Sequence, residues 1–198
     1  ASVTLRFRTN GDAVGAPSIE TLLGDYYALL DLGFHPTATG NTDTHELSRH
    51  PLGYPRNCIR VANDRHPGLT PEALIEGLGL GRVLVTSGPW LEVSLAGHGP
   101  GEMVDVANQA PLLEILADAA SWVPVNRVYI VVNGRMQASI ETPTLPARLK
   151  VPLELSNAVS YIMVIAEGDA PLPSVAGELS APQRSFAFTN PLWVRSHR

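Results

Sequence analysis

The stretch that decides the fold is RVYIVVNGRMQASI, residues 127–140. Two runs rich in apolar and β-branched residues, Arg127 to Val132 and Met136 to Ile140, flank the dipeptide Asn133-Gly134. Asparagine followed by glycine is the preferred pair for the two-residue turns that join antiparallel strands. The stretch therefore predicts a β-hairpin.

Similar runs continue on both sides of this hairpin, and we find no convincing helix beyond Gly81. Short apolar segments are separated by turn residues, many of them Gly or Pro, a spacing that predicts a two-sheet sandwich of immunoglobulin-like size over residues 82–198. Besides the hairpin, the predicted strands are Arg82 to Thr86, Trp90 to Leu95, Leu112 to Ala117, Ala147 to Leu155, Tyr161 to Ala166 and Phe186 to Val194.

Before Gly81 the pattern alternates between strands and helices. Such alternation is typical of α/β proteins, so we assign residues 1–81 to an α/β unit. Thr70-Pro71 is the clearest start of a helix, because a capping side chain precedes proline at the first helical position. In order, the predicted elements are strand Val3 to Arg8, helix Ser18 to Leu32 ended by Gly33, strand Phe34 to Thr39, strand Cys58 to Ala62 and helix Thr70 to about Leu78.

Composition narrows the range of functions. With 198 residues, 44% of them hydrophobic, the chain is long enough for one large domain or two small ones with real cores. A net charge of -5 argues against nonspecific nucleic-acid binding, which needs a basic face. Apolar runs such as Val128 to Val132 are too short to span a bilayer, so we expect neither a membrane partner nor a signal peptide. Cys58 is the only cysteine, which excludes an internal disulfide and leaves the compartment open.

Asp43 and His45 are the strongest candidates for chemistry. In extended backbone, residues i and i+2 point to the same side, so both side chains are expected to face one ion. A carboxylate with an imidazole suits zinc, manganese or iron. The alternative is that Asp43 caps a turn and His45 is an incidental loop histidine. Since a catalytic zinc takes about three protein ligands, the pair is at most a fragment of a site.

The surrounding motifs resemble a known family. Gly40-Asn-Thr-Asp-Thr-His is similar to the last metal-binding motif of the PHP (polymerase and histidinol phosphatase) superfamily, in particular its carbaryl-hydrolase-like branch. The resemblance extends over nearly the whole chain as an ordered series. Its further segments are DYYALLDLGF (25–34), GYPR (53–56), TPEA (70–73), GRVLVTSGPWLEV (81–93), SW (121–122), VVNG (131–134) and FTNPLWV (188–194).

The resemblance implies a metal-dependent hydrolase in which Asp43 and His45 are metal ligands. The intact protein would then hold a divalent metal (zinc, manganese or iron) that activates water against a small phosphate, carboxylate or carbamate ester. The family's leading His-x-His pair and its other ligands are not identifiable before Asp43. The resemblance therefore implies a partial PHP-type α/β barrel segment, residues 1–81, followed by the β-sandwich. We expect this chain alone to be inactive, with its metal weakly bound or absent.

Other residues give weaker signals. His50 and Arg56 are candidates for binding an anionic substrate group, against the reading that both are solvated loop residues. Cys58 is expected to be a small core residue. Three tryptophans suggest either a ligand-stacking patch, as in carbohydrate-binding modules, or ordinary sheet packing; they are Trp90, Trp122 and Trp193.

Two readings of function follow. The first is the C-terminal part of a metal-dependent hydrolase. The second is a noncatalytic β-sandwich interaction module whose first 80 or so residues form a supporting lobe. Because a few α/β units cannot close a barrel, the strand Val3 to Arg8 and the apolar face of the helix to Leu32 are expected to pack on the sandwich or on a second copy of the chain.

Overall fold

The computed structural model describes residues 19–45, 52–65, 67–107, 110–155, 158–172 and 184–197. The predicted strand Val3 to Arg8, the cap at Ser18 and the candidate His50 lie outside these ranges. The described elements are α1 (Ile19–Asp31), β1 (Arg56–Ile59), α2 (Pro71–Gly79), β2 (Val83–Thr86), β3 (Trp90–Leu95), β4 (Met103–Val106), β5 (Leu112–Asp118), β6 (Arg127–Val132), β7 (Arg135–Glu141), β8 (Ala147–Pro152), β9 (Val159–Pro171), β10 (Arg184–Thr189) and β11 (Leu192–Ser196).

Eight of these strands form one large mixed sheet. Its order is β1-β2-β10-β9-β11-β4, with β6 paired to β9 and β7 to β6. All of its pairings are antiparallel except β11 with β4, which is parallel. The long strand β9 is central, since it hydrogen-bonds to β6, β10 and β11.

A three-stranded antiparallel sheet, β3-β5-β8, packs on one face of the large sheet. Alternation along β3 and β5 buries every second residue, as expected of strands with one covered face. Buried side chains of both sheets belong to one apolar core, with Leu95, Leu113 and Ile115 from the small sheet and Ile130, Ile162 and Leu192 from the large one.

Helix α1 covers the opposite face of the large sheet. Leu23 and Leu30, both buried, belong to a second core cluster with Val85, Met163 and Ile165 of the sheet. The helix therefore receives from the sheet part of the cover that its apolar side chains need. Neither helix in the described part of the chain is long and apolar enough to cross a membrane.

Local sequence signals were good guides to individual elements. The Thr70 hydroxyl accepts a hydrogen bond from the Ala73 N–H at 3.2 Å and caps α2, with Pro71 in the first turn. Asn133 and Gly134 both have positive φ and join β6 to β7, which confirms the hairpin. Gly33, at φ +83°, follows α1 as expected.

The predicted fold class is wrong. The chain is mainly β, with mixed sheets, and the described residues before Gly81 form no part of an α/β barrel. In such a barrel, strands joined through a helix run parallel. Here α2 connects β1 to β2, yet these neighbours are antiparallel, with Arg56 opposite Thr86 and Ile59 opposite Val83. Both strands belong to the same sheet as β9, β10 and β11. The domain boundary near residue 81 stays a prediction.

Tyr27 gives a test of the packing beneath α1. Burial raises the pKa of Tyr27 to about 12, and its hydroxyl is enclosed without a hydrogen-bond partner among the described residues. An unfolded tyrosine ionises near pH ~10, so the folded state keeps its proton longer and stability falls as pH rises from about 10 toward 12.

We expect Tyr27→Phe to leave the free energy of unfolding unchanged at pH 8 or to raise it by up to ~1 kcal/mol, because an unpaired buried hydroxyl is removed. The loss of stability between pH 8 and pH 11 should also shrink. Urea unfolding at both pH values measures this. Tyr26→Phe is the matched control, since the Tyr26 hydroxyl lies 3.0 Å from Pro36 O and from Asn190 Oδ1. That variant should lose stability at pH 8, and equal behaviour of the two variants would contradict the packing described here.

Candidate functional site

The segment that leads to Asp43 and His45 is held by a buried amide. Asn190, with 0% of its surface exposed, joins β10 to β11. Its Oδ1 accepts the Ala38 N–H at 2.8 Å, and its Nδ2 donates to Ala38 O at 2.9 Å and to Val83 O at 3.0 Å. One side chain thus pairs both backbone groups of Ala38, as a neighbouring strand would.

A second asparagine pairs in the same way with both backbone groups of Gly40, two residues after Ala38. Asn57 of β1 accepts the Gly40 N–H at 2.8 Å and donates to Gly40 O at 2.9 Å. The sequence predicted a strand at Phe34 to Thr39, but the structure has irregular backbone there. The reason is that side-chain amides replace the backbone ladder at Ala38 and Gly40.

The last fixed point before the candidate pair is Thr42. Its hydroxyl donates to Pro55 O at 3.1 Å and accepts the Gly53 N–H at 3.2 Å. Gly40 lies so close to the sheet that a Cβ there would stand 2.3 Å from Val85 Cγ1 and 3.1 Å from Pro55 Cγ. The backbone is therefore anchored from residue 38 to residue 42 and emerges from the surface at Asp43.

Asp43 and His45 meet at this exit. Asp43 has φ +49°, a left-handed turn instead of the extended backbone that we expected. The turn brings His45 Nδ1 to 2.8 Å from Asp43 O and to 3.8 Å from Asp43 Oδ1. The two side chains are 72% and 87% exposed for His45 and Asp43, respectively. If Nδ1 carries the proton that is donated to this carbonyl, Nε2 is the nitrogen that keeps the lone pair.

A donor set of one carboxylate and one imidazole suits a divalent transition metal, but it is incomplete. In the described ranges of the chain, no three His, Cys, Asp or Glu side chains are grouped so that they could hold an ion. Asp43 and His45 therefore fit the edge of a metal site, and further ligands would have to come from outside the described residues.

Arg56 lies beside this loop. Its Nη1 donates to Gly53 O at 3.1 Å, so the guanidinium supports the turn that also contacts Thr42. The other substrate-binding candidate, His50, lies outside the described residues, and its role stays a prediction.

A separate cleft of about 780 Å³ is lined by β1 and the loop after it, by β2 and by all three strands of the small sheet. Its lining includes Cys58, which is half-buried and also packs against the core. Trp90, 42% exposed, lines the cleft as well, and its Nε1 donates to Glu92 Oε1 at 3.1 Å. No residue of the loop 36–45 lines the cleft.

Basic residues converge on a single carboxylate at one end of the cleft. Arg60 Nη2 lies 2.6 Å from Glu102 Oε1, Arg82 Nη2 lies 3.8 Å from the same oxygen, and His98 Nδ1 lies 3.7 Å from Oε2. Partial burial alone would raise the pKa of Glu102, but the Gly99 N–H and the charges of these three side chains outweigh it and lower the pKa. Glu102 is therefore ionised and shared by its basic neighbours.

The other two tryptophans do not join Trp90 in one patch. Trp122 is 65% exposed in a turn, whereas Trp193 of β11 packs against the cluster beneath α1 and stacks on the ring of His35, with centroids 3.9 Å apart. Neither lines the cleft.

Comparisons with known proteins show no family for this chain. No protein-family model and no curated protein matches the sequence. One solved structure is similar in part: an engineered protein determined by the Northeast Structural Genomics Consortium, 14% identical, with a TM-score of 0.31. The match covers 55% of this chain and 20% of that one.

Asp43, His45 and Arg56 were predicted from the sequence as site residues, and that role stays a prediction; the asparagines that hold their loop were not predicted. Asn57 is one residue beyond the quoted segment GYPR, and Asn190 is in the quoted segment FTNPLWV. The available signal was a pair of polar residues next to apolar strands. A buried amide there needs partners, although sequence alone does not say which.

Proposed function

We propose that residues 36–45 form one edge of the active site of a PHP-type metal-dependent hydrolase, and that this chain is the C-terminal part of that enzyme. The observation that carries the proposal is the anchoring of the Asp43 loop by Asn57, Asn190 and Thr42. Two side-chain amides and a hydroxyl fix the path of this loop from residue 38 to residue 42, so the exit at Asp43 has a defined position. The ordered series of PHP-like segments around it supports the same reading.

In this proposal Asp43 and His45 supply two ligands, and the Asp43 carbonyl orients the imidazole through Nδ1. The metal, when bound, would lower the pKa of a water molecule and polarise the ester. Arg56, whose guanidinium is near the loop, would attract an anionic ester or the acid that its hydrolysis releases. The substrate class is a small phosphate, carboxylate or carbamate ester.

Exposed apolar side chains are concentrated in one stretch of the sequence, which supports a missing neighbour. Most of the large hydrophobic residues that the described part of the chain exposes lie between residues 29 and 80, among them Leu32 at 74%, Ile75 at 69% and Phe34 at 59%. Exposed apolar patches on a protein surface often mark a site of interaction. We propose that the preceding part of the parent protein covers them, and that in its absence a second copy of the chain does so.

Zinc binding tests the ligand pair. The chain should bind Zn²⁺ weakly in isothermal titration, and Asp43→Asn or His45→Gln should weaken binding at least about tenfold, because a two-ligand edge cannot lose either donor. The matched control is His197→Gln, which removes another exposed histidine next to a carboxylate, with Nε2 3.1 Å from Asp105 Oδ1. Retention of wild-type affinity in both test variants, or equal loss in the control, would refute the assignment.

The alternative function is a noncatalytic binding module, and one observation favours it. The cleft of about 780 Å³ is built by the two sheets without any residue of the Asp43 loop. A ligand held there would give the chain a function of its own whether or not the enzyme reading is right.

A further inference from the structure

The cleft has the size and lining of a small-molecule site. Its volume of about 780 Å³ lies within the range of roughly 300–1,000 Å³ found for ligand pockets. The lining combines apolar side chains, such as Leu84 and Leu116, and the exposed ring of Trp90 with charged groups. Such a mixture suits a ligand with an apolar body and a polar end.

The charged side chains at one end of the cleft indicate the nature of the ligand's polar end. Arg60 and Arg82 share the single carboxylate of Glu102, so neither guanidinium has that anion to itself. Arg82 Nε is buried and has no hydrogen-bond acceptor among the described residues. A guanidinium donates from a planar fork that carboxylates and phosphates match, and 29% of the Arg82 side chain is exposed, so this group is the natural place for an oxyanion.

Arg148 adds a further positive charge to the cleft. It lines the cleft from β8, and the described part of the chain offers it no ion pair, whereas its neighbour Lys150 is 2.6 Å from Glu114. Leu116 lies directly across the strand pair from Arg148, so an apolar surface adjoins the charge.

We propose that this cleft binds a small organic oxyanion with an aromatic or other apolar body, its charged end on Arg82 and its body against Trp90 and Leu116. The shared chemistry is the anion on an apolar frame, and either a carboxylate or a phosphate ester supplies it. The site is separate from the Asp43 loop and does not depend on a metal, so the two assignments stand or fall independently.

Cys58 gives a direct readout, because it lines the cleft and is the only thiol of the chain. Mass spectrometry of the full chain gives the rate at which iodoacetamide alkylates Cys58. This rate is measured in the presence of benzoate, phenyl phosphate or neutral benzyl alcohol. We expect one or both anions to slow the reaction in a saturable way and benzyl alcohol to have much less effect. The anion that protects at the lower concentration identifies the preferred class.

Variants then locate the charge contact. Arg82→Gln should raise the apparent dissociation constant at least about tenfold, the usual cost of losing a charge-assisted contact. Ser94→Trp should occlude the cleft while keeping every charge, and it should abolish protection. Arg127→Gln is the matched control, since that arginine pairs with Glu141 outside the cleft.

Circular dichroism checks that each variant is folded, and if Arg82→Gln does not fold, Arg148→Gln replaces it with the same expected direction. Absence of protection by both anions, equal protection by benzyl alcohol, or unchanged protection in the folded charge variant would overturn the proposal.

Discussion

Replacing Asn190 with leucine will lower the free energy of unfolding by about 3–5 kcal/mol, because it removes a buried hydrogen-bonding group and leaves its buried partners without their hydrogen bonds. The side chain contacts Tyr26 Oη, both backbone groups of Ala38 and Val83 O, all within 3.0 Å. Leucine has a similar size but satisfies none of them. Urea unfolding measures the loss.

A second readout separates this role from a general core defect. Amide hydrogen exchange at Ala38 should accelerate strongly in Asn190→Leu, since the acceptor of that N–H is the lost side chain. The control is Asn41→Ala, an exposed amide at the same loop, whose effect should stay below about 1 kcal/mol. A variant Asn190→Leu that unfolds like the wild type, or keeps Ala38 protected, would contradict the anchoring role.

Substituting alanine for Gly40 should lower the free energy of unfolding by about 1–3 kcal/mol, because the added methyl group overpacks a site with no room. Its Cβ would lie 2.3 Å from Cγ1 of Val85, a side chain that is 1% exposed and cannot move aside. Thermal or urea unfolding gives the value, and zinc titration of the same protein tests whether the displaced loop still presents Asp43 and His45.

Gly24→Ala is the matched control for this substitution. Gly24 lies within α1, and a Cβ there has nothing within 4 Å. Alanine should therefore stabilise the helix by about 0.5–1 kcal/mol. If Gly40→Ala were as harmless as Gly24→Ala, the close approach of the loop to the sheet would be wrong.

Local chemistry in the sequence determined much of the fold. Thr70-Pro71 marked the start of α2, Asn133-Gly134 marked a hairpin, and apolar runs bounded by turn residues marked β3 and β6, because each of these features depends on residues that are close in the chain. The single strand predicted from Phe186 to Val194 is two strands in the structure, β10 and β11, with Asn190 between them. Strand β10 pairs with β2, whereas β11 pairs with β4.

The fold class was predicted wrongly because it depends on pairing between residues that are far apart in the sequence. Alternation of strands and helices before Gly81 predicted an α/β unit, yet pairing of β2 with β10, about a hundred residues away in sequence, places this region in a mixed β-sheet. Likewise, Ala38 is bonded to a side chain 152 positions later. Periodicity reports which face a residue presents, but it does not report which partner satisfies its backbone.

The candidate site was predictable only in part, for the same reason. The residue types and spacing of Asp43 and His45 suggested a ligand pair. The left-handed turn at Asp43 and the anchoring by Asn57 and Asn190 are tertiary features. The cleft near Arg82 was also invisible in the sequence, because its lining comes from five strands spread over residues 58–150 and from Thr189.

The most direct test of the account is to locate a bound metal. Substoichiometric Mn²⁺, added to the ¹⁵N-labelled chain, broadens NMR signals of amides close to the ion. We expect broadening to be confined to residues around Asp43 and His45 and to the adjoining turn at Gly53, and we expect Asp43→Asn to abolish it. Broadening centred elsewhere, for example at His197 and Asp105, or unchanged broadening in Asp43→Asn, would contradict the assignment of this loop as the edge of a metal site.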